Sequence, residues 1–266
     1  MTSPLLQATI AYPEVVEILS EKVLPVRKLA AEREVKNNAL ALAANPNAKP
    51  KKHHTNFLAR WWTHAYRRAD MLSAITRLDR YIALTRVAAH DRISIYEFVD
   101  SSIRPDDSLQ CFAFNDDYSF GVLSSSLHRA WFDERCSKLK VDPRYTSTTV
   151  WNTFPWPSNP TDLQVARIAK LSADILDLRD TYRQQGTTLG EQYDALRQPG
   201  QSALRDLHNE IDAAVIAAYG FNPDEDLLAQ LLALNLAAAK DPEIARSPGG
   251  QGRKGIYSST YRLTAV

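Results

Sequence analysis

The sequence predicts an α+β fold in which a mixed domain of helices and a short sheet precedes an all-helical domain. Apolar residues recur with a helical period near both ends of the 266-residue chain, for example at Val15, Ile18 and Leu19. Between residues 80 and 116 the pattern changes to short runs of β-branched and aromatic residues, which are typical of strands. Glycine supplies only 9 of the 266 residues, which disfavours the glycine-rich phosphate loops of nucleotide-binding α/β domains.

The N-terminal part is predicted to be mainly helical. One helix is expected over residues 13–44, and Pro25 should kink or divide it because proline lacks the N–H that the hydrogen-bond ladder needs. Residues 45–56 are rich in proline and polar side chains, which indicates a loop. A second helix should begin near Asn56, and a short third helix should cover residues 69–78. Three strands are then expected, at 81–88, 92–99 and 108–116.

A helical period returns after the strands, over residues 116–136. Residues 142–157 should be extended instead, because their prolines remove donors and disfavour helical backbone. Residues 158–245 are predicted to be helical apart from a polar loop at 184–190, and the first of these helices should start at Thr161 or the residue after it. Gly220 is the expected C-cap of a later helix, and the last helix should carry acidic residues in its first turn.

These patterns divide the chain into three predicted parts. Residues 1–157 should form the mixed helix and short-sheet domain, and residues 158–245 the all-helical domain. Residues 246–266, which are rich in glycine and serine, should form a loosely ordered tail.

Several classes of protein are disfavoured by composition. Cys111 and Cys136 are the only cysteines, so no disulfide scaffold is expected. Both are expected to be reduced thiols. The N-terminus has no basic region ahead of an apolar stretch, and no apolar run is long enough to span a bilayer. We therefore expect a cytoplasmic protein without a membrane partner.

The motifs of the common catalytic sites are incomplete. Residues 250–255 spell GxGxxG, but no strand precedes them as a dinucleotide site requires. Pro105-Asp106 could begin a nuclease motif, yet no Asp/Glu-x-Lys follows, and Ser124–Ser126 lacks the small residues of a nucleophile elbow and fits a helix start. His53-His54 has no acidic or cysteine partner nearby, so no metal site is expected. His128 and His208 lie in helical patterns and are interpreted as hydrogen-bonded core histidines.

Charge is unevenly distributed along the chain. The formal net charge is +1, yet residues 36–92 contain eleven basic residues against three aspartates, so that segment carries +8 and the remainder −7. Arginine outnumbers lysine there, and tryptophans and tyrosines are interleaved with it. Arginine forks onto phosphates and guanine edges, so one hypothesis is contact with DNA or RNA. The other is a solvated basic face beside an aromatic core.

Five sequence blocks, taken together, resemble a known family. They are FLARWW (57–62), RYIALTRVAAHDRISIYEF (80–98), DDYSFGVLSSSLHRAW (116–131), DPRYTSTTVWNTFPWP (142–157) and LRDLHNEIDAAVIAAYGF (204–221). In order and spacing they are similar to the C-terminal part of MmeI-like (type IIL/IIG) restriction–methyltransferases and of related adenine-specific DNA methyltransferases. The resemblance covers about residues 12–240.

The resemblance implies a target recognition domain followed by a helical C-terminal domain. In the family, the methyltransferase and nuclease domains lie upstream, with S-adenosylmethionine and Mg²⁺ as the cofactors of those catalytic domains and none in the part that this chain matches. The implied function is sequence-specific recognition of double-stranded DNA in a restriction–modification or phage-defence system. This chain would be non-catalytic by itself, and its partners would be duplex DNA and a methyltransferase domain or subunit.

Candidate DNA-binding residues fall into two groups. Residues of the basic segment should hold phosphates; they are Lys51, Lys52, Arg67, Arg68, Arg86, His90 and Arg92. Arg86 and His90 also match the basic run of the family's recognition domain. The polar stretch 138–149 should approach base edges, because Lys, Arg and Thr can meet them in the major groove. Its candidates are Lys138, Lys140, Arg144, Tyr145, Thr146 and Thr148.

A second hypothesis is an interaction or scaffold protein. In it, the helical part 158–245 docks onto a methyltransferase or another phage-defence subunit, and the basic segment covers that partner or RNA. The apolar stripe Leu227–Leu236 would support docking if it were exposed.

Overall fold

The computed structural model describes residues 3–64, 66 and 68–240, and the predicted α+β class is confirmed. The chain divides into two compact units, one up to Ala69 and one from Asp70 onward. The predicted tail at 246–266 and its GxGxxG run lie outside the described residues.

The first unit contains four helices: α1 (Pro4–Ala11), α2 (Pro13–Lys22), α3 (Leu24–Ala44) and α4 (His53–Leu58). The helix predicted over residues 13–44 is divided at Val23, as expected near Pro25. Pro25 lies in the first turn of α3, where a backbone N–H would have no hydrogen-bond partner within the helix. Helix α4 begins three residues before the predicted start near Asn56 and ends at Leu58.

Glu34 of α3 explains where α4 begins. Its carboxylate accepts hydrogen bonds from the backbone N–H groups of His54 and Thr55, at 3.0 and 2.9 Å, and so caps the first turn of α4. Burial raises the pKa of Glu34, but the hydrogen bonds from Thr55 and His54 outweigh it and lower the pKa to about 2. Glu34 lies twenty residues before His54, so no local sequence pattern predicts this cap.

Helix α5 (Ala69–Ile75) spans the boundary between the units, and a three-stranded antiparallel sheet follows it. Its strands are β1 (Arg80–Thr85), β2 (Tyr96–Asp100) and β3 (Leu109–Phe112), in the order β2-β1-β3. The central strand β1 is buried from Tyr81 to Leu84, because both of its faces are covered. The three strands were predicted correctly in place along the chain, but each is shorter than predicted.

Two helices, a hairpin and a 3₁₀ turn fill residues 117–153. They are α6 (Asp117–Ser124), α7 (Ser126–Arg135), β4 (Ser137–Leu139), β5 (Asp142–Arg144) and the 3₁₀ turn Trp151–Thr153. The helical period predicted over 116–136 is broken at Ser125, whose side chain caps α7 by accepting from the N–H of His128. Residues 142–157 are extended as predicted, except for the 3₁₀ turn.

Four helices complete the second unit: α8 (Asp162–Gln184), α9 (Leu189–Ala195), α10 (Ala203–Tyr219) and α11 (Leu227–Lys240). Thr161 caps α8 in a capping box with Gln164, and Gly220 ends α10 in the left-handed region at φ 68°, both as predicted. The acidic first turn predicted for α11 was wrong. Asp226 precedes the helix and caps it by accepting from two of its backbone N–H groups.

One hydrophobic core joins the sheet to the C-terminal helices. It contains Ile82 of β1, Phe120 of α6, Ile168 of α8 and Ile211 of α10, each almost fully buried. The predicted boundary between residues 157 and 158 therefore runs through shared packing. Packing does not test a functional division, and the assignment of 1–157 and 158–245 to different roles stays a prediction.

The segments DDYSFGVL (116–123) and NTFPWP (152–157) pack into this core. Asp116 caps α6 by accepting from the N–H of Ser119 at 2.8 Å. Phe154 is buried, and the Tyr219 hydroxyl donates to the Pro155 carbonyl at 2.7 Å. These contacts fasten the extended segment to α10.

The two predicted core histidines make the stability of the second unit depend on pH. Burial lowers the pKa of His128 and of His208 to about 4, from an ordinary value of 6.5. The unfolded chain therefore takes up protons first as pH falls. Stability should be complete above pH 6.5 and should fall between 6.5 and 4, by about 2 kcal/mol per histidine from pH 7 to pH 5.

Urea unfolding at pH 7, 6 and 5 measures this loss. His208→Gln keeps a hydrogen-bonding group for the Tyr193 hydroxyl, which lies 2.9 Å from Nε2 of His208, and removes the titration. The variant should lose about half of the pH dependence. An unchanged pH profile in His208→Gln would contradict the assignment.

Two further sequence predictions concern the whole chain. Within the described ranges, no helix is both long and apolar enough to cross a membrane. Cys111 and Cys136 are both free thiols.

Candidate nucleic-acid interface

Three segments that are distant in sequence converge where β1 ends. The backbone N–H of Arg86 donates to the Ser108 carbonyl at 2.7 Å, and the Arg86 carbonyl accepts from the N–H of Tyr145 at 2.8 Å. Val87 pairs with Arg144 in an isolated antiparallel bridge. The backbone thus brings the basic run after β1 beside the β4–β5 hairpin, which lies more than fifty residues later.

An open cleft of about 360 Å³ lies between these segments, and we refer to it as the hairpin cleft. Its lining residues are Thr85, Arg86, Val87, Asp107, Ser108, Leu139 and Arg144. Two arginines and one aspartate are among them, so the net charge of the lining residues is positive. Sequence reasoning missed Asp107 and Ser108, because strand pairing and not local pattern places them there.

The two faces of the hairpin have different environments, because side chains alternate along a strand. Pro143 and Tyr145 are buried, whereas Leu139 and Arg144 line the hairpin cleft. Lys138 is exposed on β4, and Lys140 is exposed in the turn with a left-handed φ of 59°. The hairpin therefore exposes the side chains of Lys138 and Lys140, while its buried residues Pro143 and Tyr145 hold its backbone against the rest of the unit.

Tyr145 is a correction to the predicted DNA contacts. It is fully buried, and its hydroxyl lies 3.2 Å from Nε2 of His128. Nδ1 of His128 lies 2.9 Å from the Leu123 carbonyl, which can only accept, so we assign the proton to Nδ1 and the Tyr145 hydroxyl as donor to Nε2. Burial raises the pKa of Tyr145 further above its ordinary value. Tyr145 anchors the hairpin and does not present its side chain to a base.

The candidates that follow β1 divide between two surroundings. Arg86 is half-buried, and its guanidinium donates to the Asp107 carbonyl at 3.1 Å. His90 lies beside the hairpin, since its backbone N–H donates to the Asp142 carboxylate at 3.2 Å. Arg92 is exposed and directed toward α9, with its guanidinium 4.0 Å from the Asp194 carboxylate. Arg86 and His90 therefore lie beside the hairpin, while Arg92 lies beside α9.

The threonine candidates lie where the hairpin leaves the sheet. The Thr146 hydroxyl is 2.8 Å from that of Ser137, so it braces the base of the hairpin. Thr148 is exposed. Ser147, which sequence reasoning passed over, donates to the Gln110 side chain of β3 at 3.0 Å.

The remaining candidates belong to the first unit. Lys51 and Lys52 are exposed just before α4, and Asn38 holds the backbone of Lys51 through two hydrogen bonds. Arg68 is exposed, with φ 47° and its guanidinium 6.0 Å from the centre of the Tyr66 ring. Arg67 lies outside the described residues.

The paired histidines at 53 and 54 pack among aromatic rings. The Tyr66 hydroxyl lies 3.3 Å from Nε2 of His53, and the ring of Phe57 is 4.3 Å from that of His53, centre to centre. In the part of the chain that the structure describes, no group of three or more His, Cys, Asp or Glu residues could hold a metal ion.

The fold and the hairpin cleft define the class of this protein: an α+β domain whose short sheet supports a cationic hairpin, extended by packed helices. Residues 24–158, half of the chain, match the family described as "MmeI, target recognition domain", and the chain belongs to that family. The resemblance seen in the sequence is thereby confirmed.

Two longer proteins are similar to the chain. It is 34% identical over 120 residues to DNA methyltransferase A of Bacillus subtilis (strain 168), across 44% of this chain and 13% of that protein. Its fold matches the structure of the type IIL restriction–modification enzyme MmeI in complex with DNA, with a TM-score of 0.61 and 23% identity, over 73% of this chain and 25% of that one. The chain thus spans a quarter or less of the length of either protein.

Proposed function

We propose that the chain recognises a specific sequence in double-stranded DNA for a type IIL-like restriction–modification or adenine-specific DNA methyltransferase system. The observation that carries the proposal is the hairpin cleft, which Arg86 and Arg144 line in a member of a target recognition family. Lys138 and Lys140 are exposed on the same hairpin, and the backbone of His90 is bonded to it. The DNA complex formed by the structurally similar MmeI supports duplex DNA as the partner.

The hairpin has dimensions suited to base reading. A two-stranded β-ribbon enters the major groove of B-DNA, where each base pair presents a distinct pattern of donors and acceptors. Lys138 and Lys140 are exposed on the ribbon and in its turn, and Thr148 is exposed after it. We assign base contacts to these residues. Phosphate contacts are assigned to Arg86, together with Lys51, Lys52, Arg67 and Arg68 of the first unit.

Catalysis is assigned to other parts of the system. We propose that this chain is non-catalytic by itself and acts in the cytoplasm with a methyltransferase domain or subunit. S-adenosylmethionine, and Mg²⁺ where a nuclease is associated, would be bound by those catalytic parts. Their products would be methylated adenine and cleaved DNA, as expected for phage defence.

Duplex-DNA affinity measured against salt concentration tests the proposal. A preferred site is first selected from a randomised duplex library. The chain should bind that site with an affinity that falls linearly with salt on logarithmic axes, with a slope of about −0.9 per neutralised phosphate. The double substitution Lys138→Ala and Lys140→Ala should reduce the preference for the selected site about tenfold or more, because base contacts carry discrimination.

The matched control removes two exposed basic residues of α8, Arg167 and Lys170, which do not line the hairpin cleft. Arg167→Ala with Lys170→Ala should leave site preference unchanged. Absence of binding at low salt, or binding without a salt slope, would refute DNA recognition.

Exposed apolar side chains favour a second candidate, protein docking. Of the predicted stripe on α11, Leu231 is fully buried, whereas Leu232 and Leu236 are 40% and 36% exposed. In the first unit, however, Ile10, Tyr12 and Ile18 are 71%, 67% and 59% exposed. Apolar surface of this kind marks interaction sites. Recovery of a methyltransferase partner by a chain that ignores DNA would support docking over recognition.

A further inference from the structure

We propose that the hairpin cleft binds one phosphodiester group of the DNA backbone, clamped between Arg86 and Arg144. The inference rests on the proposed function and deepens it. It assigns Arg144 to positioning the DNA, although Arg144 lies in the stretch that otherwise approaches bases.

The two arginines come from neighbouring segments that backbone contacts hold together. Arg86 directly follows β1, and Arg144 is the last residue of β5. The bridge between Val87 and Arg144, and the hydrogen bond from the Tyr145 N–H to the Arg86 carbonyl, fix the spacing of the two segments. Tyr145 in turn is held in the core by His128. The backbone of the clamp is therefore preorganised before DNA binds, which lowers the entropic cost of binding.

Most of the donors on these guanidinium groups are available. One terminal nitrogen of Arg86 donates to the Asp107 carbonyl, which orients the group. Its other N–H groups have no hydrogen-bond partner within the part of the chain that the structure describes. Among the described residues, no hydrogen bond or ion pair occupies the guanidinium of Arg144. Guanidinium groups bind phosphate oxygens bidentately, so two of them can surround one phosphodiester.

The lining of the cleft favours sugar and phosphate over a base. No aromatic ring lines it, and pockets that hold a base stack it on aromatic side chains. Val87 and Leu139 offer apolar contact for a deoxyribose, and the Thr85 hydroxyl can donate to a phosphate oxygen. The single carboxylate, that of Asp107, opposes anion binding but is outnumbered by two cations.

Methylphosphonate scanning tests the clamp. Duplexes of the selected site, each with one phosphate replaced by a neutral methylphosphonate, are titrated with the full chain. One or two positions should weaken binding about tenfold. Arg144→Leu should abolish the sensitivity at those positions, weaken binding to all sequences alike, and make the salt slope shallower by about 0.9. Arg86→Leu should act at the same positions, and Asp107→Asn should tighten binding.

Arg167→Leu, on α8 and outside the lining of the hairpin cleft, is the matched control and should keep the full sensitivity. If Arg144→Leu also lowers the urea midpoint, Arg144→Lys serves in its place, keeping one charge but losing the fork and most of the sensitivity. An altered site preference with unchanged sensitivity would make Arg144 a base-reading residue and overturn the inference while leaving DNA recognition intact. Failure of the unaltered chain to bind DNA would refute both.

Discussion

Gly121→Val is expected to destabilise the second unit by about 3 kcal/mol or more. Gly121 lies in α6 at the point where that helix approaches α8 and α10. A Cβ atom at this position would lie 2.5 Å from Oγ of Ser172, 2.6 Å from Cγ2 of Ile168 and 2.9 Å from Cδ1 of Ile211. Ser172 and the two isoleucines are fully buried, so none of them can move aside without displacing the core.

Gly190→Ala provides the matched control, because no atom lies within 4 Å of a Cβ at Gly190 in α9. That variant should be neutral or slightly stabilising, since alanine favours a helix over glycine. Urea unfolding followed by tryptophan fluorescence measures both variants. A Gly121→Val chain with the unfolding midpoint of the natural protein would show that α6 does not pack as described.

Glu97→Ala has the second largest expected effect, a loss of about 3 kcal/mol. Arg179 of α8 is fully buried, and its guanidinium donates to the Glu97 carboxylate of β2 and to the Tyr96 carbonyl at 3.0 Å. Arg183 donates to the same carboxylate. Removal of Glu97 leaves the buried guanidinium of Arg179 with no carboxylate partner among the described residues. An unpaired buried charge costs more free energy than the intact pair contributes.

Asp180→Ala tests whether burial causes the effect. Asp180 also pairs with Arg183, at 2.6 Å, but both of these side chains are exposed. Exposed pairs contribute little, so this loss should be about 0.5 kcal/mol or less. Equal losses for Asp180→Ala and Glu97→Ala in chemical denaturation would contradict the importance of the buried charge.

Both predictions bear on recognition, because the hairpin depends on the same core. Glu97 lies on β2, and Gly121 lets α6 pack beside that strand and the long helices. The hairpin is joined to this body through Tyr145 and through the backbone of Arg86. Variants that loosen the core should therefore weaken DNA binding together with stability, whereas Lys138→Ala with Lys140→Ala should alter recognition in a folded chain.

Elements with a local cause were predictable from the sequence. Proline at 25 cannot continue a hydrogen-bond ladder, glycine at 220 accepts a left-handed φ, and Thr161 with Gln164 forms a capping box within one turn. The place of the three strands followed from runs of β-branched and aromatic residues. Each of these signals acts over a few residues, so periodicity and capping rules detect it.

Elements with a distant cause were not predictable. The start of α4 depends on Glu34, which lies on another helix. The order of the strands and the pairing of Val87 with Arg144 depend on contacts across many residues. Tyr145 looked like a polar member of a base-reading stretch, because the period of two in a short hairpin cannot tell which face is buried.

By itself, the sequence determined the α+β class, the local helix ends, the uneven charge and, through five ordered blocks, the family. Tertiary structure alone decided which of the basic residues lie together. Arg86 and Arg144 are separated by 57 intervening residues and meet across one cleft, whereas Arg92 lies beside a helix and Tyr145 in the core. The physical reason is that a binding site is assembled by strand pairing and burial, which join residues that no local pattern connects.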